Sequence, residues 1–251
     1  MNKEFLIGGT SVYHAYPDEG HEDGQAGSGK KHPGLIIIEE IWGVTDHIKS
    51  VADRFAAEGY SVISPELLPN GLLEMLTPQI QKDLFDPEKR DAVQPKLREA
   101  MQPIQQPEYA RGAIGVLKAC VDYLMTDKGV DAARGIGVVG FCFGGTYAYH
   151  LAANDSRIRA AVPFYGQPPT MEEIPNIKCP VLAFYGEQDE RLMESLPALK
   201  ENMAKQGKTC EAIVYSGAGH AFFNDTNPRT YRPDAAADAW NKTIEFLKKN
   251  L

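Results

Sequence analysis

The stretch GIGVVGFCFGG, residues 135–145, decides the fold. It opens as a short apolar run, GIGVVGF, and closes on a cysteine set among glycines, GFCFGG, before a helical pattern that starts at Phe143. A continuous apolar run of this length, bounded by glycine, reads as a strand buried on both faces. Strands of that kind belong to parallel sheets, because the helical crossovers between parallel strands cover both faces.

The same rhythm extends to both sides. Upstream, LIIIEE (35–40) is an apolar strand, VTDHIKSVADRFAAEG (44–59) an amphipathic helix capped by Thr45 and stopped at Gly59, and YSVISPE (60–66) a second buried strand. Downstream come the strands IRAAVPFY (158–165), CPVLAFYG (179–186) and CEAIVYSG (210–217). The helices EYARGAIGVLKACVDYLMT (108–126), LMESLPALKENMAKQ (192–206) and AAADAWNKTIEFLKK (235–249) complete the alternation. Apolar strands alternating with helices specify an α/β fold, a mostly parallel central sheet with helices on both faces. The runs EFLI and SVYHAY around Gly8 and Gly9 predict a leading hairpin. Residues 18–34, DEGHEDGQAGSGKKHPG, read as an exposed polar loop. Residues 67–107, with prolines at 69, 78, 87, 95, 103 and 107, read as a helical excursion or lid from one domain spanning 1–251.

Composition bounds the function. The 251 residues carry a net charge of −8 and 43% hydrophobic residues, with a mean hydropathy of −0.33, enough for one large core. No basic cluster with interleaved aromatics is present, which excludes a nucleic-acid partner. No window approaches the apolar length of a membrane span, and no signal peptide is visible, so a cytoplasmic protein is expected. Cys120, Cys142, Cys179 and Cys210 stand far apart without a CxxC pair, so they read as reduced thiols, three of them core fillers. No two histidines show ligand spacing, and HEDG near His21 reads as solvated loop, so neither metal nor cofactor is implied.

In open α/β sheets, ligands bind beyond the carboxyl ends of the strands. A lone GxC would be read as a small buried residue at a helix start. The full GxCxGG between strand and helix instead resembles a nucleophile elbow, whose glycines permit a tight, strained turn. Cys142 then sits at a helix N-terminus, where dipole and free amides favour the thiolate. The Phe143 amide is placed to donate to an oxyanion. Asp189, in YGEQDE, and His220, in SGAGHAF, each follow a strand. A lone aspartate there is usually a turn residue, and a lone histidine is often structural. Their placement after consecutive strands, in the order nucleophile, acid, histidine, is that of α/β-hydrolases. Glu40 closes the strand LIIIEE facing the same end of the sheet, which makes it a fourth catalytic candidate.

Through EEIWGV, GFCFGG, YGEQDE and AGHAFFND, the chain resembles the dienelactone hydrolase (carboxymethylenebutenolidase) family of α/β-hydrolases from about residue 34 onward. The resemblance implies a Cys142–Asp189–His220 triad, an oxyanion hole of the Ile41 and Phe143 amides, and a Glu40 that contacts the thiol. Trp42, Arg98, Phe222 and Asn224 are the substrate-binding candidates. Asn224 stands where the family keeps an arginine for the substrate carboxylate, and Gln102 where it keeps a tyrosine. The implied activity is cleavage of a small ester or lactone through a cysteine acyl-enzyme. A general ester or thioester hydrolase without dienelactone activity, and a thiol redox or glyoxalase-type protein, remain the alternatives. A glutamine amidotransferase would need glutamate two residues after the histidine, where this chain has Phe222. The chain is compatible with a monomer or a homodimer.

Overall fold

The computed structural model of the chain describes residues 1–17, 30–84, 86 and 88–251. Most of the polar loop expected at 18–34, including HEDG, lies outside the described residues.

A single eight-stranded sheet runs through the molecule. Its strands are β1 (Asn2–Ile7), β2 (Thr10–Ala15), β3 (Gly34–Ile38), β4 (Ser61–Pro65), β5 (Ile136–Phe141), β6 (Ile158–Phe164), β7 (Val181–Gly186) and β8 (Cys210–Tyr215), in the spatial order β1-β2-β4-β3-β5-β6-β7-β8. The leading hairpin is there: β1 pairs antiparallel with β2, and β2 antiparallel with β4. From β4 to β8 every pairing is parallel. The apolar runs become central strands because their residues are buried on both faces, as in β3 and β5, where every position is buried.

The connections explain the two helical layers. From β3 the chain crosses to β4 through α1 (Asp46–Ala57), and from β4 it returns past β3 to β5 through α5 (Pro107–Thr126). Right-handed crossovers running in opposite directions put their helices on opposite faces. α6 (Phe143–Asn154) and α7 (Glu190–Lys205) follow the direction of α5, whereas α8 (Pro233–Asn250) returns to the α1 layer, its Trp240 ring 4.4 Å from Phe55. Thr45 is the N-cap residue of α1, as its sequence position predicts, but its side chain makes no capping hydrogen bond. Among the described residues no helix is long and apolar enough to cross a membrane.

The excursion folds into α2 (Asn70–Met75), α3 (Pro78–Leu84) and α4 (Arg90–Met101). Its prolines mostly open elements: Pro69 is the N-cap of α2, and Pro78 and Pro107 are the first residues of their helices, where a missing N–H costs nothing. Leu68, Leu72 and Leu76 form a second apolar cluster that Trp42, Leu97, Met101 and Phe143 pack against, so the excursion rests on the sheet's carboxyl end. Its root is pinned by three hydrogen bonds. The Leu67 and Leu68 amides donate to Glu39 Oε1 at 2.8 and 2.9 Å, and the Tyr109 hydroxyl donates to the Leu67 carbonyl at 3.0 Å.

Candidate active site

The chain leaves β3 toward β4 on one side and later enters β5 on the other, so the carboxyl ends of β3 and β5 flank the topological switch point. Glu40 and Ile41 follow β3, and Cys142 follows β5. Cys142 adopts φ 55° and ψ −109°, the left-handed region that costs a non-glycine residue roughly 1–3 kcal/mol. The surrounding glycines make the turn possible. A Cβ on Gly144 would collide with the Ile38 and Glu39 carbonyl oxygens, and one on Gly145 with the Phe164 carbonyl oxygen. The Gly144 amide donates to the Glu39 carbonyl at 3.0 Å and the Cys142 amide to the Phe164 carbonyl at 3.0 Å, which fastens the elbow to both neighbouring strand ends. The other non-glycine residues with positive φ among those described are Tyr165, whose hydroxyl donates to Glu40, and Ala221, next to His220. Strain gathered at one place marks a functional site.

The three residues singled out in sequence meet there. His220 Nδ1 lies 2.5 Å from Asp189 Oδ2, and His220 Nε2 lies 3.0 Å from Cys142 Sγ. The loss of water around the ring opposes the imidazolium, but the Cys142 sulfur and the Asp189 carboxylate outweigh it and push His220 up to about 10. The Tyr165 ring packs 5.1 Å from the imidazole, centroid to centroid, and steadies it. Ile41 and Phe143 line the same cavity of about 440 Å³, and neither backbone amide meets a protein acceptor among the described residues. Two unclaimed N–H groups beside a thiol can hold a developing oxyanion.

Glu40 is 3% exposed, and its carboxylate is held rather than free. The Tyr165 hydroxyl donates to Oε1 at 3.2 Å and Asn224 Nδ2 donates to Oε2 at 2.7 Å. Asn224 is turned this way by Thr226, whose amide and hydroxyl both donate to Asn224 Oδ1, at 3.0 and 2.7 Å. In this arrangement Glu40 makes no hydrogen bond to Cys142.

The substrate-binding candidates scatter. Phe222 is fully buried in an aromatic cluster with Tyr165 and Tyr215, outside the cavity. Arg98 is exposed on α4 and, among the described residues, reaches only Gln94, at 3.5 Å. Trp42 and Asn224 line a larger cavity of about 600 Å³ that contains none of Cys142, Asp189 and His220. The smaller cavity holds the reactive groups, and chemistry rather than size identifies the site. Sequence reasoning missed Tyr165, Gln167 and Arg191, which also line it. The signal was present: the first two follow the carboxyl end of β6, and Arg191 comes two residues after Asp189.

The remaining cysteines are set apart by burial, which pushes Cys120 and Cys179 up to about 12 and Cys210 up to about 11.

Comparison with known proteins fits this geometry. Residues 23–251 match the profile described as "Dienelactone hydrolase family". "Protein usf" of Aquifex pyrophilus is 32% identical over 87% of this chain and 89% of its own. The "Putative carboxymethylenebutenolidase" of Saccharolobus solfataricus is 32% identical over 86% and 88%. Among solved structures, the "Putative Dienelactone Hydrolase" of Klebsiella pneumoniae subsp. pneumoniae superposes with a TM-score of 0.79 at 24% identity, covering 99% of this chain and 98% of that one. That likeness bears on the fold. The elbow on an eight-stranded sheet and the family match over nearly the whole chain lead to one conclusion: this chain belongs to the dienelactone hydrolase family of α/β-hydrolases and is a carboxylic ester hydrolase.

Proposed function

We propose that the chain cleaves carboxylic esters or lactones through a cysteine acyl-enzyme formed on Cys142. The observation that carries the reading is the continuous line from Asp189 through His220 to Cys142, with separations of 2.5 and 3.0 Å.

In this reading His220 takes the thiol proton and Asp189 fixes the imidazole tautomer and stabilises the imidazolium. The thiolate attacks the ester carbonyl, and the oxyanion that forms is met by the Ile41 and Phe143 amides, each such donor being typically worth about 3 kcal/mol of barrier. Collapse expels the alcohol, which leaves with the proton held on His220. A water then attacks the thioester as His220 removes its proton, and the acid product and free thiol are released. Glu40 is a second acceptor for the thiol proton, available once its Tyr165 or Asn224 hydrogen bond is released. Dienelactone itself is disfavoured as the substrate, because Asn224 is committed to Glu40 and Gln102 is exposed at the end of α4.

The test is a panel of 4-nitrophenyl esters, enol lactones and thioesters. Cys142→Ala should abolish turnover of every compound the native protein cleaves while its circular dichroism stays native, and Cys142→Ser should retain little of it. Unchanged activity in Cys142→Ala contradicts the mechanism.

A further inference from the structure

Arg191 is exposed at the start of α7 and lines the cavity of Cys142 and His220. Among the described residues lining that cavity, the charged side chains are Asp189, Arg191 and His220, and Asp189 is engaged by the imidazole. Among the described residues, no carboxylate lies within ion-pair distance of Arg191. Its partner is neutral. With the Gln167 amide oriented so that its oxygen faces the guanidinium, that oxygen accepts from Arg191 Nε at 2.9 Å and also from a terminal nitrogen, Nη2.

This pairing leaves a specific vacancy. A guanidinium carries five N–H donors, and Gln167 takes the edge made by Nε and Nη2. The end-on edge, formed by Nη1 and the second Nη2 hydrogen, stays available and matches the two oxygens of a carboxylate. Gln167 is itself held firmly. Its main-chain N–H donates to Thr146 Oγ1 at 2.9 Å, and it follows Gly166, which packs so closely on Gly145 that a Cβ on either would strike backbone. The elbow that aims Cys142 therefore also aims Arg191. A cation at this point has electrostatic purpose, because a chain of net charge −8 otherwise repels an anionic substrate.

We propose that Arg191, oriented by Gln167, is the specificity-determining residue that receives a carboxylate carried by the substrate. The proposal rests on the reading of this cavity as the ester-cleaving site. It places the carboxylate on the α7 side of the cavity, away from Asn224, whose amide is occupied by Glu40 and Thr226.

Two matched pairs test it: 4-nitrophenyl hemisuccinate against its methyl ester, with the charge in the acyl part, and 4-carboxyphenyl acetate against its methyl ester, with the charge in the leaving group. For each pair the ratio of kcat/KM, charged over neutral, is compared between native protein and Arg191→Gln. A charge-assisted contact predicts that the ratio of at least one pair falls about tenfold to a hundredfold. Gln167→Glu, which occupies the guanidinium with a carboxylate while keeping its shape, should lower the same ratio, and Arg191→Lys should retain part of it. Ratios unchanged in Arg191→Gln for both pairs overturn the assignment of Arg191 alone. Native protein that cleaves none of the four compounds contradicts the hydrolase reading instead.

Discussion

Replacing Glu39 by glutamine should change how stability depends on pH, in a direction and by an amount that follow from its surroundings. Glu39 is fully buried, and only Oε1 has partners, the Leu67 and Leu68 amides; Oε2 has none. Burial outweighs those two amides and, with Glu66 nearby, pushes the carboxyl from 4.5 up to about 8. The folded chain therefore keeps a proton that the unfolded chain has released. The stability this contributes is complete below about pH 4.5 and drains away as pH rises toward 8, by roughly 5 kcal/mol at most. Glutamine keeps the acceptor for Leu67 and Leu68 and cannot ionise, and its amide nitrogen without a partner costs about 1 kcal/mol. Glu39→Gln should be slightly less stable than native protein at pH 5 and several kcal/mol more stable at pH 9. The raised His220 also removes stability, between about 6.5 and 10, but it does so in both proteins and cancels in their difference. Urea unfolding followed by circular dichroism at pH 5, 7 and 9, at constant ionic strength, reads the effect as a change in midpoint. Parallel curves for the two proteins would refute a buried, protonated Glu39 at the root of the excursion.

Two further predictions concern the site. Asn224→Ala removes the 2.7 Å donor that holds Glu40 in a buried setting, and kcat/KM for a neutral 4-nitrophenyl ester should fall roughly tenfold, with a change in the shape of its pH profile that a merely structural role would not produce. Iodoacetamide at neutral pH should modify native protein once, at Cys142, because burial holds Cys120, Cys179 and Cys210 at about 11 to 12; peptide mapping that shows even labelling of all four would contradict an activated thiol.

The core of the fold was readable because buried parallel strands leave a period-free apolar run that few other structures produce. LIIIEE, GIGVVGF and IRAAVPFY each became strands within a residue or two of the expected ends. Cys142, Asp189 and His220 could be brought together from the sequence because each follows a parallel strand, and chain order then puts them at the carboxyl end of the sheet. What the sequence hid depends on side-chain direction. Glu39 and Glu40 are adjacent and identical in type, yet one turns to the root of the excursion and the other toward Tyr165 and Asn224. Asn224 stands where the family resemblance expects a substrate contact, and its amide donates to Glu40, an orientation set by Thr226 and invisible in spacing. Phe222 follows His220 by two residues but points into the core, and Arg98 sits one turn from Met101, the α4 residue that reaches the cavity. Arg191 was overlooked because a charged residue at the start of a helix ordinarily reads as solvated surface.

The proposed mechanism requires Cys142 to carry the acyl group. Acid-quenched protein taken during turnover of 4-nitrophenyl acetate, digested and analysed by mass spectrometry, tests it most directly. One acetyl adduct is expected, as a thioester on the peptide containing Cys142, and none in Cys142→Ala. An adduct on any other residue, or wild-type turnover by Cys142→Ala, would contradict it.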